Sequence, residues 1–213
     1  MLPGLLGALG PVAGVIFDCD GVLADSEPAS EAAWADTVTN AGHEPAGAEL
    51  DRFVGMTDRA VAEHYAPILG VAPDELLAAA ARAFLARILE GIPLFPDAVV
   101  LLEEVRSSRL PIGVGSNSSR WRLDATLEAA GVRDLVDASV AADEVEHPKP
   151  APDVYLAVAE RLGLDPGVSV VIEDSPTGIE SALAGGFLVV AVRRGHFDRG
   201  ALSGAHLVVD ALD

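Results

Sequence analysis

The chain of 213 residues contains one cysteine, Cys19. A single cysteine excludes an intramolecular disulfide and suits a reducing compartment, so we expect a cytoplasmic protein with Cys19 as a buried, unreactive thiol. Long apolar runs are also absent. The apolar segment 1–11 is too short to span a membrane and lacks the basic region of a signal peptide, so we expect a loose N-terminal extension and no membrane partner.

Basic residues are scarce as well. The sequence has 14 of them against 33 acidic residues, for a net charge of −19. Such a surface repels nucleic acid, which we therefore exclude as a partner. Any anionic substrate must be held by a few well-placed positive groups. No pattern indicates an oligomer, and we expect a monomer.

Short apolar runs alternate with helical patterns along most of the chain. The runs typical of strands are 12–17, 111–115, 136–140, 168–172, 187–192 and 206–209. The helical patterns between them are 97–108, 119–130, 152–162 and 176–184. This alternation predicts an α/β fold with a parallel sheet and helices on both faces.

One region breaks the alternation. Between the first two strands the sequence shows only helical pattern, over Glu31–Ala41, Asp58–Leu69 and Pro73–Leu89. We therefore predict a discontinuous core, 1–26 and 93–213, with a small helical domain, 27–92, inserted into it. The connectors around 25–28 and 91–96 are candidate hinges.

The first predicted strand ends in Asp18-Cys19-Asp20-Gly21. Ligands of open α/β sheets bind just beyond the carboxyl ends of strands. Two carboxylates at such a place repel each other unless a cation or a shared proton compensates them. The motif therefore predicts a metal site, a proton-transfer pair, or both.

Three further strand ends carry complementary groups: Ser116-Asn117-Ser118-Ser119, the lone lysine Lys149 between two prolines, and Glu173-Asp174. Carboxylates suit Mg²⁺, whereas hydroxyls, backbone amides and an ammonium suit a phosphoryl group. One carboxylate is left to attack phosphorus and another to move protons. Asp174 alone would serve as a helix cap, but that role leaves the other strand ends unexplained.

These four motifs, in this order, resemble those of the haloacid dehalogenase superfamily. The resemblance covers nearly the whole chain after residue 11. The helical insertion resembles the subgroup with a small α-helical cap, which includes β-phosphoglucomutase and many sugar-phosphate phosphatases. The resemblance implies a Rossmann-like three-layer α/β/α core.

The resemblance also implies roles for individual residues. Asp18 is the nucleophile, and Asp20 is the general acid and then the base, with its backbone carbonyl on the metal. The phosphoryl group is held by Ser116, by the backbone of Asn117 and by Lys149. The Mg²⁺ ligands are Asp18, Asp20, Glu173 and Asp174.

Departures from the family's patterns narrow the reaction. Dehalogenases resemble this chain in the nucleophile but lack the second aspartate and the metal. Phosphonatases use a cap lysine, and this chain has none. Phosphosugar mutases carry a histidine where this chain has Ser30. We therefore expect a phosphatase acting on a small phosphorylated metabolite such as a sugar or polyol phosphate, with a mutase as the alternative and a catalytically silent binding module as the third possibility.

Substrate choice is expected to lie in the cap. The segment around Gly55 resembles the cap's substrate-specificity loop, and Arg52 and Arg59 could hold a second anionic group, with ordinary surface charge as the alternative for both. Near the last strands, Arg193 and Arg194 are interpreted as a solvated pair, and Asp97 is given no role.

Overall fold

A computed structural model describes residues 6–46, 49–53, 56–89, 91–194 and 196–212. Its centre is a six-stranded, fully parallel sheet in the order β3-β2-β1-β4-β5-β6. The strands are β1 Gly14–Phe17, β2 Ile112–Gly115, β3 Ala138–Val140, β4 Ser169–Glu173, β5 Leu188–Val192 and β6 Leu207–Val209. All six predicted strands are thus confirmed.

Seven α-helices accompany the sheet in the described residues. They are α1 Glu27–Asn40, α2 Asp58–Leu69, α3 Pro73–Ile88, α4 Pro96–Ser107, α5 Arg120–Ala129, α6 Asp153–Leu162 and α7 Pro176–Ala184. Several begin with proline in the first turn, where its fixed φ is favourable and its missing N–H costs nothing. α2 is capped by Thr57, whose hydroxyl accepts from Ala60 N at 3.2 Å.

Alternating residues of the sheet feed two separate cores. From β1, Val15 and Phe17 join the cluster under α4 and α5, whereas Ile16 joins the cluster under α6 and α7. Successive side chains of a strand point to opposite faces, so each face is closed by its own helix layer. The predicted α/β/α architecture is confirmed.

Helices α1–α3, here called the cap helices, lie between β1 and α4 in the chain and have a core of their own. Trp34, Val38, Tyr65 and Leu76 are among its buried members. The connectors run side by side, with Asp25 N donating to Pro93 O at 2.9 Å. The insertion of a helical unit is therefore confirmed, and the domain boundaries at 27 and 92 stay a prediction.

The N-terminal segment differs from expectation. Leu6 is fully buried in the sheet's core, so the segment is not a loose extension at this point. Residues 1–5 lie outside the described part. No described helix has the length and apolarity needed to cross a membrane.

The interpretation of Arg194 as a solvated residue is wrong. Its Nη1 and Nη2 donate to the two carboxylate oxygens of Asp97, both at 2.9 Å, and its Nε donates to Gly21 O at 3.2 Å. The guanidinium also lies 4.1 Å from the ring centre of Phe95. Arg194 therefore joins β5 to the connector that returns from the cap. Arg193, by contrast, is exposed and pairs with Asp210.

Candidate active site

The carboxyl ends of β1, β2 and β4 meet at one edge of the sheet because these strands are adjacent and parallel. A cavity of about 110 Å³ lies there, between the sheet and the cap helices. All seven predicted core-site residues line it: Asp18, Asp20, Ser116, Asn117, Lys149, Glu173 and Asp174. The sequence prediction that these side chains come together is confirmed. The catalytic and ligand-binding roles assigned to them stay predictions.

Lys149 is the centre of the buried end of this cavity. Its Nζ lies 2.5 Å from Asp18 Oδ1, 2.9 Å from Glu173 Oε1, 2.6 Å from Tyr155 OH and 2.9 Å from Gly115 O. Burial lowers the pKa of this ammonium, but the two adjacent carboxylates raise it more, and the net shift is upward. Lys149 is therefore a fixed positive charge.

The side chain of Asn117 clamps the backbone of Lys149. Its Oδ1 accepts from Lys149 N at 2.9 Å, and its Nδ2 donates to Lys149 O at 3.1 Å. Sequence reasoning considered only the backbone of Asn117 and missed this contact. The residue type was the available signal, because an amide side chain both donates and accepts, as a peptide group does.

Both oxygens of Glu173 are occupied by protein donors. Oε1 accepts from Lys149 and, at 2.6 Å, from Tyr155 OH, while Oε2 accepts from the backbone of Asp174 and Ser175 and from the Ser175 hydroxyl. Burial raises the pKa of Glu173, but Lys149 and these hydrogen bonds lower it by a larger amount. The net shift of the pKa is therefore downward. Glu173 is an ionised anchor for Lys149. The contact of Tyr155 was also missed.

Asp174 is not the cap of α7. That cap is Ser175, whose hydroxyl accepts from Gly178 N at 3.0 Å. Asp174 instead lies against Gly21, where an added Cβ would be 2.1 Å from Asp174 Oδ2. Gly21 has φ +85°, so it provides both the turn and the space that the carboxylate needs.

Negative charge exceeds positive charge around Asp18 and Asp174. Burial raises the pKa of Asp18, as do the charges of Glu173 and Asp20, against the opposing effect of Lys149. Burial and the charges of Glu173 and Asp18 raise the pKa of Asp174. One ammonium does not balance three buried carboxylates, so the site favours a further cation or a proton.

The carboxylate of Asp20 is bound by three hydroxyl groups. Its Oδ1 accepts from Ser26, and its Oδ2 accepts from Ser118 at 2.9 Å and from Ser116 at 3.3 Å. Asp18 therefore contacts an ammonium, whereas the hydrogen-bond donors to Asp20 among the described residues are neutral hydroxyl groups. The two carboxylates of the first motif have different environments, as different roles require.

The cap helices cover the cavity. Its lining on the cap side includes Glu27, Ser30 and Trp34 from α1. Arg52 and Arg59 do not line it. Arg52 contacts His64 and the Phe53 ring. Arg59 pairs with Asp74 at 2.8 Å and borders an adjoining cavity of about 480 Å³, which shares Trp34, Asp58 and Arg122 with the first. Their role in substrate binding stays a prediction without support from this geometry, and Gly55 lies outside the described residues.

The chain is similar to known proteins over most of its length. Residues 15–192 match the family of haloacid dehalogenase-like hydrolases. The chain belongs to this family. The predicted resemblance is therefore confirmed. The third possibility, a catalytically silent binding module, is disfavoured because the core-site residues lie together in one cavity.

Individual proteins are similar to this chain in sequence or in fold. Fructose-1-phosphate phosphatase YqaB of Escherichia coli is 34% identical over 188 residues, which cover 85% of this chain and 96% of that protein. Protein SUPPRESSOR OF QUENCHING 1 of Arabidopsis thaliana is 36% identical over 191 residues, but the chain spans only 18% of its length. Among solved structures, a β-phosphoglucomutase from Clostridium difficile superposes with a TM-score of 0.84 at 22% identity, covering 94% of this chain and 92% of that one, which shows a shared fold.

The carboxylates of the site are candidate ligands for a metal ion. Within the described ranges, no three Asp, Glu, His or Cys side chains are arranged to hold an ion by themselves. The carboxylate of Glu173 is hydrogen-bonded to Lys149 and Tyr155. Asp18 and Asp174 remain, with surplus negative charge and hard oxygen donors of the kind that Mg²⁺ prefers.

Proposed function

We propose that the protein is a magnesium-dependent phosphatase that hydrolyses a sugar or polyol phosphate through an aspartyl-phosphate intermediate. The observation that carries the proposal is the contrast between Asp18, 2.5 Å from the chain's only lysine, and Asp20, held by three serine hydroxyls in the same cavity. Asp18 is thus placed beside positive charge, as a nucleophile for a phosphate dianion must be. The likeness to fructose-1-phosphate phosphatase supports the class of substrate.

The proposed reaction has two steps. First, a carboxylate oxygen of Asp18 attacks phosphorus, the ester P–O bond breaks, and Asp20 gives its proton to the leaving alcohol oxygen. Then Asp20 takes a proton from water, the water oxygen attacks phosphorus, and the P–O bond to Asp18 breaks to release inorganic phosphate. Atoms and protons balance, and both aspartates return to their initial state.

Charge and position account for most of the catalysis in phosphoryl transfer. Lys149, the Ser116 hydroxyl and the backbone of Asn117 would hold the phosphoryl oxygens. The Asn117 side chain keeps Lys149 in place through its two hydrogen bonds. Binding of a phosphate would take the Ser116 hydroxyl from Asp20, which leaves that carboxylate to Ser26 and Ser118.

Asp18, Asp174 and the backbone carbonyl of Asp20 would hold Mg²⁺. When bound, the ion neutralises charge on the phosphoryl group and on the carboxylates. We assign Glu173 to Lys149 rather than to the metal directly, because protein donors occupy both of its oxygens.

The nucleophile is tested by phosphate release from fructose 1-phosphate with Mg²⁺. Asp18→Asn should abolish turnover, and Asp20→Asn should lower kcat by 10²-fold or more, on the order of the contribution of general acid–base catalysis. Near-normal, metal-dependent hydrolysis by Asp18→Asn would refute the assignment.

The metal is tested by thermal unfolding. Mg²⁺ should raise the melting temperature of the wild type at neutral pH, because a ligand that binds only the folded state stabilises it. Asp174→Asn should lose that increase. An equal increase in both proteins would place the ion elsewhere.

A phosphosugar mutase is the alternative. Ser30 lines the cavity, but a serine hydroxyl does not titrate near neutral pH as the histidine of the mutases does. Incubation with β-glucose 1-phosphate and a bisphosphate activator separates the two functions, since a mutase yields an isomerised sugar phosphate and a phosphatase yields free phosphate.

The cytoplasmic location and the monomeric state of the protein stay predictions.

A further inference from the structure

A buried arginine of the core reaches the cap helices. Arg122 of α5 is only 7% exposed, and its Nη1 donates to Asp58 Oδ1 at 2.9 Å. Its guanidinium lies 4.4 Å from the centre of the Phe84 ring. Asp58 also accepts from Trp34 Nε1 at 3.1 Å. These contacts fix the position of the guanidinium.

Arg122 nevertheless has unused donors. Within the part of the chain that the structure describes, Nη1 is the only one of its three guanidinium nitrogens with a hydrogen-bond partner, and Nε is buried without one. A buried donor without a partner is unfavourable, because it has lost its hydrogen bonds to water without replacement. Arg122 lines the 110 Å³ cavity as well as the adjoining 480 Å³ cavity, so an acceptor on a molecule bound beside the phosphoryl site could satisfy these donors.

Glu27 supplies the complementary group from the cap side. It lies in the first turn of α1, is half-buried and lines the same cavity. Its carboxylate has no hydrogen-bond or ion-pair partner among the described residues, and it forms no ion pair with Arg122. Burial and the charge of Asp20 raise its pKa, as expected for a carboxylate without a donor.

The remaining charges of the cavity argue for an uncharged leaving group. Among the described lining residues, Lys149 and Arg122 are the only lysine or arginine side chains, and both already pair with carboxylates. The residues outside the described ranges include no lysine or arginine. Glu31 and Asp51 add negative charge at the exposed rim. A second phosphate would be repelled there, whereas a hydroxyl group would not.

We infer that Arg122 and Glu27 bind one hydroxyl group of the leaving alcohol, with Arg122 donating to its oxygen and Glu27 accepting its hydrogen. A hydroxyl group both donates and accepts hydrogen bonds at a single oxygen atom, so it matches a donor and an acceptor that face the same point. The pair thereby selects monophosphate esters of sugars and polyols over esters without hydroxyls. This inference rests on the proposed phosphatase function.

The test compares two substrates in Arg122→Lys and in Glu27→Leu, which keeps the approximate size of the side chain but removes the acceptor. Fructose 1-phosphate carries hydroxyls next to the ester, and phenyl phosphate carries none. Each variant should lower kcat/KM for fructose 1-phosphate by about tenfold or more, the equivalent of one hydrogen bond to a charged group, and change the value for phenyl phosphate by less than about twofold. Arg87→Lys, which alters an arginine paired with Asp36 away from both cavities, should leave both values unchanged.

Each outcome has a distinct meaning. Equal losses on both substrates, or no loss on either, would overturn the inference while leaving the phosphatase in place. No phosphate release by the wild type from either substrate would refute the proposed function itself. Glu27→Leu keeps the test valid if Arg122→Lys folds poorly, since the Glu27 carboxylate has no hydrogen-bond or ion-pair partner among the described residues.

Discussion

The ammonium of Lys149 lies 2.5 Å from Oδ1 of Asp18, and both side chains are buried. The two residues are 131 positions apart in the chain, so this contact joins the first strand to the loop before α6. It also couples catalysis to stability, because the proposed nucleophile is part of the ionic network that holds the sheet's edge together.

Lys149→Met should lower the free energy of unfolding by about 3–5 kcal/mol at pH 7, since it leaves Asp18 and Glu173 as buried charges without a counterion. In this variant the two carboxylates hold protons more tightly when folded than when unfolded. Its deficit should therefore shrink as the pH falls from 7 to 5, where Lys149 in the wild type stays charged. Urea unfolding at both pH values measures this, and a deficit independent of pH would contradict it.

Gly21→Ala should reduce activity at least tenfold and weaken the Mg²⁺-dependent increase in melting temperature. The new Cβ would lie 2.1 Å from Asp174 Oδ2, so the carboxylate must move away from the site. Gly42→Ala is the matched control, because Gly42 has φ +97° with no atom within 4 Å of an added Cβ. Both variants should lose roughly 1 kcal/mol of stability through backbone strain. Normal metal binding in Gly21→Ala would show that Asp174 does not hold the ion.

Tyr155→Phe should lower kcat several-fold and destabilise the fold by about 1–3 kcal/mol, because the hydroxyl that donates to Glu173 and contacts Lys149 is lost while the ring stays packed. Tyr65→Phe provides the comparison. Its hydroxyl donates to Glu49 at 3.0 Å in the cap, and Tyr65 is not among the residues that line either cavity. It should lose stability without loss of kcat. Steady-state kinetics and urea unfolding of both variants measure the two effects, and equal kcat in both variants would exclude a positioning role for Tyr155.

The regular elements could be predicted because their signals are local. α7 spans residues 176–184 as predicted, since apolar periodicity, the proline in its first turn and the flanking glycines all lie within the segment. α1 begins at Glu27 rather than Glu31, because Pro28 is accepted in a first turn and does not delay the helix. The convergence of the four motifs also followed from sequence, since parallel strands bring their carboxyl ends to one edge.

The pairings across the site could not be predicted in the same way. Arg122 and Asp58 are 64 positions apart, and nothing in either neighbourhood indicates the other. Asn117 was singled out for its backbone, whereas its side chain clamps a residue 32 positions away. The chemical type of each of these side chains can be read from the sequence. Their partners depend on how distant segments of the chain pack against one another in the fold.

The ion pair of Asp97 with Arg194 gives a pH-dependent prediction away from the active site. Burial raises the pKa of Asp97, but hydrogen bonds from Arg194 and from the backbone of Leu212 and Ala98 outweigh it, and the net shift is downward. A depressed pKa means that the ionised carboxylate stabilises the folded state above its ordinary pKa and loses that effect as the pH falls through the shifted value. Asp97→Asn should therefore cost about 1.5–3 kcal/mol at pH 7, and the difference from the wild type should narrow below about pH 4. Urea unfolding of both proteins between pH 3 and 7 measures this. A difference that stays constant down to pH 3 would mean that the carboxylate's charge contributes nothing to the pairing.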